Sequence, residues 1–177
     1  MTEWVALLRG VNVGGITIRS AELRALADDL GFTEVRTVLA SGNLLFQTDA
    51  DVSERAALKA RIEAALRERF GYDAWILLPT RGELGEAAAG FPFDAADAGR
   101  QPWVIFCSDE ATREELLAAA EPLDPGVDPV APGAGVVYWN PVTGSSTDTA
   151  FAKTIARATF RARTTNRNLR TLQRILS

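Results

Sequence analysis

The chain has 177 residues, 47% of them apolar and 24% charged, with a formal net charge of −4 and no histidine. That composition belongs to a globular chain able to bury a core, and no apolar run approaches the roughly 18 to 20 residues of a membrane span. Without histidine the commonest general base, metal ligand and partner of a nucleophilic serine or cysteine is missing, so most hydrolase chemistry is disfavoured and no cofactor is expected.

Cys107 is the sole cysteine, which excludes an internal disulfide and agrees with a reducing compartment. Met1-Thr2-Glu3 leads into an apolar run without a basic leader region, so a cytoplasmic location with no membrane contact is expected. The net charge hides an asymmetry. Residues 149–177 hold seven cations (Lys153, Arg157, Arg161, Arg163, Arg167, Arg170, Arg174) and no acid, while the other 148 residues carry a balance of −11. A basic tail on an acidic body either docks on that body or meets an anionic partner.

In chain order, the run from Trp4 to Leu8 reads as a buried strand, and Arg9-Gly10-Val11-Asn12-Val13-Gly14-Gly15 as a loop whose glycines let the backbone turn and approach a partner. Ser20 is placed as the cap of a helix carrying Leu23, Leu26 and Leu30 on one stripe and ended by Gly31. Residues 35–39 and 44–46 follow as strands around a hairpin turn at Ala40-Ser41-Gly42-Asn43. Asp51 or Ser53 caps a second helix bearing Leu58, Ile62, Leu66 and Phe70 and closed by Gly71, and 74–78 is a fourth strand.

Residues 79–100 connect, with a short helix near Leu84 and a packing segment at Gly90-Phe91-Pro92-Phe93. The second half repeats the pattern: a strand at 103–107, a helix at 112–120, a weak strand at 127–130, a clear one at 136–139, a helix at 151–158 and a last strand at 160–164. A short helix with Leu169, Leu172 and Leu176, begun by Asn166, ends the chain. Strand, helix, strand, strand, helix, strand is the ferredoxin-like course. The expected fold is therefore α+β, with two ferredoxin-like (βαββαβ) halves packed into one compact unit: 1–79, a connection at 80–101, and 102–177. Chain direction brings the loop at 9–15 and the turn at 41–43 to one end of the first sheet, the expected site.

The motifs Leu7-Leu8-Arg9-Gly10-Val11-Asn12-Val13-Gly14-Gly15, Gly31-Phe32-Thr33-Glu34-Val35-Arg36-Thr37, Ser41-Gly42-Asn43-Leu44-Leu45-Phe46 and Thr164-Thr165-Asn166-Arg167-Asn168-Leu169-Arg170-Thr171 resemble the bacterial family called domain of unknown function 1697. The resemblance implies an α+β fold of two related ferredoxin-like halves and no established activity. Ile16-Thr17 stands where members usually carry Lys-Asn, and Val38-Leu39-Ala40 where they carry Tyr-Ile-Gln.

The glycine loop lacks the ending of a P-loop and the spacing of a dinucleotide fingerprint, so its amides suit an anion without naming a nucleotide. Arg161 and Arg163, two apart in a predicted strand, share a face, as do Arg167, Arg170 and Arg174 at helical spacing. The leading expectation is a non-enzymatic binder of an anionic ligand, nucleic acid or a phosphorylated metabolite. Its contacts would come from Arg9, Asn12, Gly14, Gly15, Ser41, Asn43, Lys153, Arg167, Asn168 and Thr171, with no metal. Two alternatives stand beside it: a small-molecule enzyme in which Arg9, Ser41, Asn43 and Lys153 stabilise charge, and a structural, partner-binding protein braced by Arg167 and Asn168.

Overall fold

The computed structural model describes residues 1–10, 16–39 and 42–177 and divides into two compact units, Met1–Leu84 with Arg174–Ser177, and Gly85–Gln173. In the first, β1 (Thr2–Leu8) is the apolar run, buried from Trp4 to Leu8. The helix α1 (Ser20–Asp29) buries Leu23, Leu26 and Ala27. Its cap is Arg19 and not Ser20: the Glu22 carboxylate reaches back to accept the Arg19 N–H at 3.1 Å, so the expected serine cap is corrected by one residue. Gly31, at φ +80°, closes the helix by donating to the Asp28 carbonyl.

The next strand, β2 (Thr33–Thr37), starts two residues before the expected 35, and its ladder slips between Thr33 and Arg36, where Glu34 has φ +49°. The ensuing β3 (Asn43–Thr48) runs back antiparallel. Asp51 caps a 3₁₀ turn, Val52–Glu54, by accepting the Ser53 N–H at 2.8 Å, and α2 (Arg55–Phe70) follows, ending at Gly71 with φ +65°. The fourth strand shrinks to β4 (Ile76–Leu77), with an isolated bridge from Trp4 to Thr80. The sheet order is β2-β3-β1-β4, and each neighbouring pair is antiparallel. Trp4, Ala6, Leu8, Leu44 and Phe46 pack with Leu26, Leu58, Ile62 and Leu66 from the two helices, and Phe32 stacks on Phe46 with centroids 4.2 Å apart.

The helix α3 (Arg81–Ala89) opens the connection and supplies the carbonyl of Ala87 to the Tyr138 hydroxyl at 2.6 Å. Phe91 then meets Tyr138 and Phe93 edge-on, so the two phenylalanines pack as expected. The second unit comprises β5 (Trp103–Cys107), α4 (Glu110–Ala120), β6 (Val130–Gly133), β7 (Val136–Trp139), α5 (Ala150–Ile155), α6 (Ala158–Arg161), β8 (Thr164–Asn168) and α7 (Leu169–Leu176), the last crossing into Arg174–Ser177. Its order, β6-β7-β5-β8, reproduces that of the first sheet strand for strand. Ile105, Val137 and Trp139 pack against Leu116, Phe151 and Ile155.

Three expectations are corrected. The weak strand lies at Val130–Gly133, not 127–130, because Asp128 is drawn inward, accepting the Trp139 indole N–H at 2.9 Å and the Phe151 N–H at 3.2 Å. Residues 160–164 form no strand. Arg157, extended at ψ 143°, breaks the helix and a new turn starts at Ala158, so Arg161 lies in α6 and Arg163 in the turn after it. Finally α7 is capped by Asn168, whose Oδ1 accepts the Arg170 N–H at 3.0 Å, and not by Asn166.

Candidate functional site

At the end of β1, backbone pairing fixes what lies beside Arg9. Leu8 donates to the Gly42 carbonyl at 2.9 Å, Leu7 pairs with Asn43, and the Arg9 N–H reaches the Trp75 carbonyl at 3.1 Å. Arg9 is half-buried, and Gly10 and Gly42 take φ +74° and +77°, backbone that favours glycine. Asn43 is fully buried, and its Nδ2 donates to the Val38 carbonyl at 2.9 Å, which holds the hairpin turn closed. Arg9 and Asn43 thus share one end of the sheet, as chain direction predicts. Asn12, Gly14, Gly15 and Ser41 lie outside the described residues.

The other expected contacts belong to the second unit. Arg167 is not on an exposed helical face with Arg170 and Arg174; it stands in β8, paired with Val104, which pairs in turn with Tyr138 of β7. Its residue exposure is 7%, and Nη1 donates to Thr165 Oγ1 at 2.8 Å and the Asn166 carbonyl at 2.9 Å. Burial of a guanidinium demands such acceptors, since a desolvated charge is otherwise costly. Asn168 is occupied in capping, Thr171 is half-buried on α7, and Lys153 is exposed on α5.

The basic segment sorts by partner. Arg163 is claimed by Glu115 at 2.7 Å, by Thr112 Oγ1 at 3.1 Å and by the Thr159 carbonyl at 2.9 Å, and the Glu115 hydrogen bond raises its pKa. Lys153, Arg157, Arg161, Arg170 and Arg174 are all exposed, and none has a carboxylate within 4.0 Å among the described residues. Sequence reasoning passed over Arg157 and Arg161 as a neighbouring pair; reading 158–161 as helix would have exposed their four-residue spacing.

Burial pushes the Cys107 thiol up to about 12, so it stays protonated at neutral pH. Among the described residues no group of three or more acidic or cysteine side chains is arranged to hold a metal ion, and no helix is long and apolar enough to cross a membrane.

Two four-stranded antiparallel sheets of identical strand order, each backed by helices, define a two-unit α+β protein. The chain belongs to the family described as "Protein of unknown function (DUF1697)", whose model matches residues 1–138. No curated protein matches it. Among solved structures it is similar to the conserved bacterial protein SP0830 from Streptococcus pneumoniae, at 23% sequence identity and a TM-score of 0.81, over 99% of this chain and 96% of that one. Likeness at that identity speaks to the fold alone.

Proposed function

We propose that this is a cytoplasmic bacterial protein of two ferredoxin-like halves that binds an anionic ligand without catalysing a reaction on it. The observation that carries the reading is the set of five exposed cations between 153 and 174 that no carboxylate of the described chain neutralises, although the rest of the protein is strongly acidic. Exposed ion pairs contribute only about 0 to 1 kcal/mol each, so their absence costs the fold little and leaves the charges available to a partner. Arg9, half-buried at a strand end beside Gly10, is a second contact of the same chemistry, and Asn12, Gly14, Gly15 and Ser41, outside the described residues, complete the proposed contact set. Arg167, Asn168 and Thr171 support the binding region from within their own strand and helix.

The test is calorimetric titration with inorganic phosphate, a nucleoside triphosphate and polyphosphate, using wild type, Arg9→Ala and Lys153→Ala/Arg157→Ala/Arg161→Ala. Binding that weakens with added salt and with either variant supports the reading. An isotherm flat for every anion, or unchanged in both variants, refutes it.

A further inference from the structure

We propose that α5 and α6 form a docking surface for the phosphate backbone of double-stranded nucleic acid, read without regard to sequence; this rests on the anion-binding reading above and names its partner. Lys153 lies on α5, Arg157 at the junction, and Arg161 on α6. The Arg161 N–H donates to the Arg157 carbonyl at 2.8 Å, one turn of α6, while Arg157, extended at ψ 143°, follows the end of α5 with its N–H on the Thr154 carbonyl at 3.1 Å, so Lys153 and Arg161 flank Arg157 at four residues on either side. Like charges so close along the chain repel, and none of the three has a carboxylate within 4.0 Å among the described residues. Of the acids on the neighbouring elements, buried Asp128 accepts from the Trp139 indole and the Phe151 N–H, Glu115 is taken by Arg163 and Glu110 by Arg113, while Glu114 and Asp148 are exposed and form no ion pair among the described residues.

The surface between the cations fits an extended polyanion better than a small one. Residues 156, 158, 159 and 162 are exposed Ala, Ala, Thr and Ala, small side chains that let a backbone approach while one hydroxyl donates. The segment's aromatic residues, Phe151 and Phe160, are buried against the sheet with Ala152 and Ile155, which fixes the two helices and removes any stacking platform for unpaired bases. No asparagine or glutamine is exposed there to read adenine edges, and the three cations are assigned to phosphates.

The experiment is fluorescence anisotropy with a fluorescein-labelled duplex of about two helical turns, across a salt series. Three neutralised phosphates give a slope of log K against log salt of about −2.7, so doubling the salt weakens binding roughly sixfold. Lys153→Glu/Arg157→Glu/Arg161→Glu should abolish binding, and Arg157→Gln alone should reduce the slope by about 0.9, which keeps the test open if the triple variant misfolds. Arg24→Glu, an exposed site on α1 with the same change in charge as one of the three, should leave binding intact. Several outcomes overturn the proposal: wild-type affinity in the α5–α6 variants, an equal loss in Arg24→Glu, or capture by phosphatidylserine vesicles but not by the duplex. Polyphosphate binding without duplex binding also sinks it and leaves the broader anion reading standing; silence toward both removes the two together.

Discussion

Glu63 tests how the first unit holds its shortest strand. Its Oε2 accepts the backbone N–H of Ile76 at 3.0 Å and the Lys59 ammonium at 2.9 Å, tying α2 to β4. β4 is the edge strand, and Ile76, opposite Leu8 between the bonded positions Arg9–Trp75 and Leu7–Leu77, turns its N–H away from β1, so this side chain supplies the acceptor that a further strand would. Ile76 is fully buried, and Glu63→Ala would leave its N–H unpaired away from water. Orphaning a buried donor costs about 1 to 3 kcal/mol, and the Lys59 pair, with the lysine side chain 29% exposed, adds under about 1. Glu63→Gln keeps an acceptor and should cost about 1 kcal/mol less than the alanine. A 177-residue chain of two units is a poor subject for a single two-state fit, so the assay is amide hydrogen exchange at Ile76. A loss of about 2 to 3 kcal/mol lowers protection there roughly 30- to 150-fold in Glu63→Ala, with a smaller drop in Glu63→Gln. Equal protection in wild type and both variants would refute the tether.

Two further outcomes follow from local geometry. Asp51 and Asp109 are held below the 3.8 of a free aspartate, chiefly by hydrogen bonds from Ser53 and Thr112 respectively at the starts of helical segments. A folded pKa below the unfolded one gives stability that is complete above about 3.8 and is lost as pH falls through the depressed values, because the unfolded chain takes the proton first. Asp51→Asn/Asp109→Asn should therefore be less stable than wild type at pH 6 and approach it only as pH falls below about 3.8; a constant gap throughout would contradict the assignment. Leu39 sits at φ +60° and is 43% exposed. Left-handed backbone costs an L-residue about 1 to 2 kcal/mol, partly offset by glycine's freer unfolded chain, so Leu39→Gly should gain up to about 1 kcal/mol in chemical denaturation. A loss instead would mean that the leucine side chain makes contacts worth more than the strain.

Periodicity made most of the fold legible because the elements that bury a face advertise it. Leu58, Ile62 and Leu66 on α2, or Val136 to Trp139 in β7, leave one reading open. The failures share a cause. Thr164–Asn168 contains no apolar residue, yet it is an edge strand of the second sheet, since its place is set by pairing with β5 and not by its own hydrophobicity. The apolar Phe160 drew the expected strand four residues too early, when it is instead the buried face of a four-residue helix that begins after Arg157 breaks the chain. Burial of Asp128 was likewise invisible, because its partners, Trp139 and Phe151, lie 11 and 23 residues away.

That four-residue displacement decides what the basic segment can do. Counting charges treats seven cations as one population, whereas the strand that actually forms takes Arg167 into the sheet beside Val104, and the turn before it delivers Arg163 to Glu115. A buried guanidinium tied to Thr165 and Asn166 is already solvated by its own strand and gains little from a ligand's phosphate. Exposed Lys153, Arg157 and Arg161 keep their water and long-range field, so screening by salt, and not the loss of one buried hydrogen bond, is the signature expected of the proposed anionic partner. Sequence motif and sequence charge point to different residues here, Arg167 in the first case and Arg157 in the second. Substituting them separately separates the two: Arg167→Ala should act on folding of the second unit before it acts on binding, and Arg157→Gln the reverse.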